Sequence, residues 1–348
     1  MNVLSSAEFA EFGRDASNNA YLDNVAGANI NDPNSIRPSS FLRYRYPRGE
    51  VLPWFDFQDP AKIAAMPDYN YQDRIFRSAM MNSYQLSFSG GSEKTRYSVS
   101  GGYLNQEGIL KGSNLKRYTV RANLESEILP RLKVGVNLIP TYRIRDEVKA
   151  DGHWADNGVI NAALSALPMA PIYAADGVTY SSQTELAPAY NYPGVTNPIA
   201  NITELHSKLN TANVLANAFA EYGIMKDLKY RASGNVSFTS NRRNSYRTSR
   251  MPLNQILPPS VATGTAFSDQ SVGWLFNQTL EYNKELGDDH SLGVLVGMES
   301  TRNSQQSSSA SGSAFPNDLV ETLNASANGS TTTATSSLVE NSTVSYFA

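Results

Sequence analysis

Histidines, carboxylates and aromatic rings are the side chains here with the most chemistry to offer, and their spacing argues against catalysis. The three histidines, His153, His206 and His290, stand far apart, so no pair has the close spacing of a metal motif. Asp288-Asp289-His290 sets three oxygen and nitrogen donors in a row, but in a short turn before an alternating segment, where solvated turn residues are the simpler account. The stretch DGHWADNG from Asp151 loosely resembles a calcium loop, yet lacks the regular acidic spacing and closing Glu of an EF-hand. Cysteine is absent, which removes disulfides and thiolate sites. No phosphate-cradling glycine loop, nucleophile elbow or HExxH helix occurs. The expectation is therefore a protein that is not an enzyme, with no catalytic residue, no metal and no cofactor. What remains is recognition. Trp154, Tyr173, Tyr180, Tyr190 and Tyr192 crowd, among prolines, into the stretch from about 145 to 208. Their flat faces are candidates for contact with sugar rings or a peptide; packing the loop onto its neighbours or seating a partner is the alternative.

Such a loop needs a scaffold, and the scaffold is written in period two. From Arg131 the chain runs RLKVGVNLIPTYRI, with Leu132, Val134, Val136, Leu138, Tyr142 and Ile144 on one parity and Lys133, Asn137, Thr141 and Arg143 on the other. Successive strand residues point to opposite faces, so one face is apolar and the other polar. The pattern repeats from Asn114, Leu209, Leu228, Val272 and Ser291. Weaker copies lie at 82–91 and 93–104, and a final one carries Val344, Tyr346 and Ala348. Most of these segments run ten residues or more, the length of a tilted transmembrane strand, against about five or six for a globular one. Their connections alternate in length. Short ones fall at 90–94, 129–132, 225–228 and 285–290; longer ones at 105–113, 145–208, 248–268 and 303–338. Short turns at one end and long loops at the other characterise outer-membrane barrels, with the short turns periplasmic. Tyrosines near the strand ends (Tyr103, Tyr118, Tyr142, Tyr222, Tyr230, Tyr282) suit interfacial girdles.

Composition agrees. Mean hydropathy is -0.38, and no window supplies the ~20 apolar residues of a spanning helix. VINAALSALPMAPIYAA from Val159 is broken by Pro168 and Pro171, which predicts a short helix ending near Leu167. A net charge of -3 gives no basic footprint, so no nucleic-acid partner is expected. Residues 1–81 are not strand-like. Ser5-Ser6-Ala7-Glu8 is a capping-box pattern opening a helix through about Arg14, and Asp59-Pro60 opens a second that ends before Pro67. If the short turns are periplasmic, this segment lies outside, as an external loop region with short helices. A soluble or surface β-rich binding protein shares the polarity and the tyrosines, but not the hairpin rhythm.

One stretch names a family. NYQDRIFRSAMMNSYQLSFSGGSEKTRYSVSGGYLNQEGILKGS, continuing to Leu138, resembles the start of the barrel in SusC/RagA-type TonB-dependent transporters. The matching motifs are Tyr71–Arg77, where Tyr71 replaces the usual Trp, Ser89–Tyr97 and Gly102–Ser113. In the hairpin, Gly90-Gly91 is expected to supply positive φ for a tight turn. The resemblance implies an all-β fold: an antiparallel transmembrane barrel, of which residues 82–348 give about nine strands out of roughly 22. It implies that the plug domain, the TonB box and the remaining strands lie outside this sequence. It further implies seating in outer-membrane lipid, a SusD-like lipoprotein over the barrel mouth, TonB acting through the plug, and import of a bulky glycan or peptide. A siderophore-type TonB-dependent receptor would use the same barrel. Inward-facing charges, among them Arg117, Arg121, Glu125, Arg231, Glu281 and Glu299, would line the lumen or meet the plug.

Overall fold

Alternating apolar and polar side chains cannot bury one face of a strand without pairing it, and the chain satisfies this with one continuous sheet. The computed structural model describes residues 3–41, 60–152, 158–182, 195–253, 257–287, 289–326 and 333–348. Nine strands follow one another in space as in sequence: β1 (Met81–Gly91), β2 (Thr95–Glu107), β3 (Asn114–Leu129), β4 (Leu132–Asp146), β5 (Leu205–Met225), β6 (Leu228–Arg247), β7 (Thr263–Glu285), β8 (Ser291–Ser313) and β9 (Thr333–Phe347). Every pairing is antiparallel between chain neighbours. This is an up-and-down arc of an antiparallel barrel, as the alternation requires. None of the described helices is long and apolar enough to cross a membrane.

The register assembles the two faces. Val136 lies opposite Leu124 and Ala218, and Val236 opposite Ala216 and Trp274, so the apolar parities of successive strands merge. That surface has no protein cover: Val136 is 49% exposed, Val236 45% and Val296 42%. Contiguous bare apolar surface of this extent is a membrane face. Tyrosines mark its limits. Tyr84, Tyr103, Tyr118 and Tyr142 form a cross-strand row toward the long-loop end, with neighbouring rings 6.4 and 5.1 Å apart in the first two pairs. Tyr222 opposite Tyr230, and Tyr282 opposite Leu228, mark the short-turn end. About ten residues separate the two levels, enough for the apolar band of about 25 Å in an outer-membrane barrel.

The strands outrun the alternation. β5 begins at Leu205, β7 at Thr263, β8 continues to Ser313 and β9 starts at Thr333. The connections are therefore shorter than the expected 145–208, 248–268 and 303–338. On β8 the outward parity changes from Leu292, Val294, Val296 and Met298 to Ser300, Arg302, Ser304, Gln306 and Ser308. Above the lipid both faces meet water, so apolar alternation stops while backbone pairing goes on. The turn glycines also differ from expectation. Neither Gly90 nor Gly91 has positive φ; both are strand residues, and a Cβ on Gly91 would strike the Thr95 carbonyl while one on Gly90 would meet the Tyr97 ring. Close approach of backbone, not a left-handed conformation, demands glycine at position 91. Arg131, first in the alternation read from sequence, stands instead in the β3–β4 turn with φ 70°.

The buried core sits outside the sheet. α1 (Ser6–Asn24) opens on the expected capping box: the Glu8 N–H donates to Ser5 Oγ at 3.3 Å, and the Ser5 N–H donates to the Glu8 carboxylate at 2.8 Å. The Ser5 N–H, then the Ser5 hydroxyl donating at 2.9 Å, hold the Glu8 carboxyl below its ordinary range. The helix runs ten residues past Arg14 because its C-terminal turns are tied down. Tyr21 donates to Asp32 at 2.9 Å, Arg37 lies 4.4 Å from the Tyr21 ring centre, and Arg37 Nη2 donates to Asn18 at 3.0 Å. α2 (Pro60–Ala64) ends before Pro67 as expected, while its cap residue Asp59 lies outside the described residues. α3 (Tyr71–Ile75), α4 (Val159–Ser165) and α5 (Pro198–Thr203) pack together at the long-loop end. α4 stops two residues short of Leu167, which is itself buried beyond it.

Candidate functional site

Two surfaces can meet a solute: the inward face of the sheet and the lobe built by the long connections. On the inward face the register places Arg117, Arg121, Glu125, Arg231, Glu281 and Glu299 on one parity, as the alternation predicted. Much of this charge is already paired. Lys133 and Glu125 are 2.7 Å apart, and Arg231 is 3.2 Å from Glu221 with its guanidinium 4.3 Å from the Phe219 ring centre. Asp269 accepts from Asn241 at 3.3 Å and from Gln305 at 3.0 Å. A wet, hydrogen-bonded wall of this kind is what a barrel interior presents.

The lobe forms because each long connection carries a few apolar residues that no strand can cover. Tyr71 and Ile75 of α3, Leu110 of the β2–β3 loop, Val159 and Ala163 of α4, Ile172, Tyr180, Ala200 of α5 and Met251 make one core. A second unites Ala10 of α1 with Ile63, Met66, Leu167, Met169 and Ala170. Tyr71 donates to the Ala170 carbonyl at 2.8 Å, and the Tyr69 N–H donates to the Pro168 carbonyl at 2.7 Å. The segment before β1 is thereby fastened to the β4–β5 connection about a hundred residues on.

Charged side chains lock the other loops to it. Glu204 accepts from Thr248 Oγ1 at 2.6 Å and Arg250 Nε at 3.1 Å. Asp318 accepts from the Ser249 N–H at 2.9 Å, from Ser249 Oγ at 2.7 Å and from Tyr246 at 3.0 Å. Burial alone would raise the Asp318 carboxyl, but the Ser249 and Tyr246 donors hold it below its ordinary range. Burial first, then the Asp318 hydrogen bond, drives the Tyr246 phenol well above its usual range. These residues escape sequence reading, since partners 44 to 72 positions apart share no local pattern.

Two of the five aromatics proposed for contact, Tyr173 and Tyr180, come together. They pair across a small hairpin with ring centres 5.1 Å apart, closed by a turn in which Asp176 accepts from Thr179 and Val178 and Gly177 takes φ +70°. The Thr179 hydroxyl, then the backbone donors, keep the Asp176 carboxyl low. Tyr180 is buried, its hydroxyl 2.8 Å from Thr203 Oγ1, whereas Tyr173 leaves 40% of itself exposed. Trp154, Tyr190 and Tyr192 lie outside the described residues, as does His153 of the loose calcium-like stretch. Among the described residues no three His, Cys, Asp or Glu side chains gather as a metal site would need.

No family model matches the chain. Among curated relatives, it is 27% identical over 290 residues to "TonB-dependent receptor P3" of Formosa agariphila, covering 80% of this chain and 27% of that protein. It is 27% identical over 182 residues to "TonB-dependent receptor SusC" of Bacteroides thetaiotaomicron, covering 47% and 17%. Among solved structures, the RagAB peptide transporter aligns with 99% of this chain and 37% of that chain, at a TM-score of 0.72 and 21% identity. The chain spans about a quarter or less of the curated relatives it matches. The structural likeness covers the sheet and the lobe together, because almost every residue of this chain takes part.

Proposed function

From the premise that this chain supplies barrel strands of a SusC/RagA-type TonB-dependent receptor seated in the outer membrane, we propose that the whole receptor imports a bulky nutrient. The observation that carries the proposal is the division of the sheet. One face is bare and apolar over a membrane's thickness, the other is polar, and all four long connections leave from a single end. The outward face seats in lipid, the inward face borders the path, and the lobe receives the solute. Residues 1–81 belong to the external side in this reading, and residues 82–348 to the barrel. No chemical step is needed from the chain, which acts by binding and passage.

The partners follow from the same premise. A SusD-like lipoprotein would cover the long-loop end, and TonB would act through a plug outside these residues. The solved structure named as a peptide transporter supports a peptide as cargo, and the SusC/RagA resemblance keeps a glycan as the second candidate. Of the two described candidates Tyr173 is the exposed one, so it is the contact residue proposed here; the Tyr180 ring packs against it. Tyr173→Ala is expected to weaken solute capture by several-fold to about tenfold, the size of one lost aromatic contact, with the receptor still assembled. Uptake of labelled solute by whole cells checks this.

Deleting the gene and growing the strain on separate peptide and glycan carbon sources tests the proposal itself. Growth on one of them should fail, and loss of TonB or of the surface lipoprotein should reproduce the failure. Unchanged growth on all of them would overturn import of a bulky nutrient. A defect that appears only under iron limitation would replace it with siderophore uptake.

A further inference from the structure

On the inward face, Arg117 of β3 and Arg143 of β4 stand directly opposite one another in the register. Directly opposed residues have Cβ atoms about 4.5–5.5 Å apart, and like charges so placed repel. Arg121 lies two inward positions further along β3. The three guanidinium side chains line one recess of about 330 Å³, together with Thr119, Thr141 and Asn213. Other cations on this face have carboxylates within ion-pair distance or opposite them in the register: Lys133 has Glu125, Arg231 has Glu221 and Arg243 has Glu147, while Arg96 and Lys229 stand opposite Glu125 and Glu281. Among the described residues, none of the three arginines has a carboxylate within ion-pair distance, and Arg143 Nε is enclosed without a hydrogen-bond partner.

A sheet that balances its inward charge elsewhere but sets two arginines face to face here has built a site of donors with no built-in anion. Guanidinium is a planar fork that holds two oxygens of a carboxylate or sulfate at once, and it never loses its charge. Such charge-assisted pairs are about twice as strong as neutral hydrogen bonds. We propose that Arg117, Arg121 and Arg143 form a binding site for an anionic oxygen group, a carboxylate or sulfate, on the solute that passes the barrel. The origin of the anion rests on the import reading; the site itself does not. The two threonines and Asn213 complete it as neutral partners for the remaining oxygens.

Inorganic sulfate is the probe. The full-length receptor, purified in detergent, would be equilibrated with labelled sulfate at constant ionic strength set by chloride, and its melting followed in parallel. One saturable site and a rise in melting temperature with sulfate are expected. The R117Q/R143Q double variant should bind at least about ten- to a hundredfold more weakly, the loss of charge-assisted hydrogen bonds. It should melt no lower than the parent in sulfate-free buffer, since a repulsion has been relieved, so lost binding is not lost folding. R117K keeps the charge but not the fork and should fall between. R302Q, which removes an outward-facing arginine paired 3.1 Å from Glu340, should bind as the parent does. No saturable sulfate in the parent, or undiminished binding in R117Q/R143Q, would overturn the site. So would a double variant that melts lower without sulfate, which would mean that a carboxylate of the same polypeptide already occupies the arginines. Sulfate binding in a receptor whose deletion leaves growth unchanged would instead sink import and spare the site.

Discussion

Arginine at Val136 or Val296 is expected to cost about 2–4 kcal/mol of membrane stability, enough to leave a large part of the protein unassembled. Val136 lies midway along the apolar band, between the levels of Leu132 and Tyr142, and Val296 lies within the outward apolar run of Leu292, Val294, Val296 and Met298 on β8. Their outward neighbours are Leu124, Ala218, Leu280 and other apolar side chains, so a guanidinium there finds neither water nor a carboxylate. The control sits one residue away. Asn137 belongs to the inward parity, opposite Asn123 and Asn217, where Asn137→Arg meets water and amides. Heat-modifiable mobility of the receptor in isolated outer membranes measures the folded fraction. V136R and V296R should reduce it strongly and N137R little. Equal behaviour of V136R and N137R would mean that the two faces do not divide lipid from lumen.

That contrast was legible in sequence because strand parity is the one long-range property a chain encodes locally. Leu132, Val134, Val136 and Leu138 announce a face whatever their partners are, and chain-neighbour pairing then fixes the rest. The capping box at Ser5 and Glu8 was legible for the same reason, since both partners sit within one turn. The end of α1 was not, because Tyr21 and Asn18 are held by Asp32 and Arg37 across an irregular loop. Nor was the upper half of β8. A run of Ser, Gln and Ala has no amphipathic signature once both faces meet water, yet its backbone still pairs with β7 and β9. Of the five aromatics, spacing brought Tyr173 and Tyr180 into one loop. Only the tertiary contacts of Tyr180 with Thr203 distinguish the buried ring from the exposed one.

Tyr71→Ala should separate the stability of the lobe from that of the barrel. The ring is only 3% exposed and packs in the cluster of Ile75, Leu110, Val159 and Ile172, while its hydroxyl satisfies the Ala170 carbonyl. Truncating a buried aromatic side chain costs about 3–5 kcal/mol, and the orphaned carbonyl adds to it. Tyr71→Phe keeps the ring and should cost about 1 kcal/mol. The loss falls on α3, α4 and α5, which touch one another, α5 also meeting β5. External protease on intact cells should therefore cut within residues 147–204 of Y71A much faster than in the parent, with Y71F close to the parent, while all three remain heat-modifiable. If Y71A lost barrel assembly as V136R does, the lobe would be a condition of the barrel's folding and not a cap built on it. If its cleavage matched the parent, the cluster around Tyr71 would not be what holds the loops together.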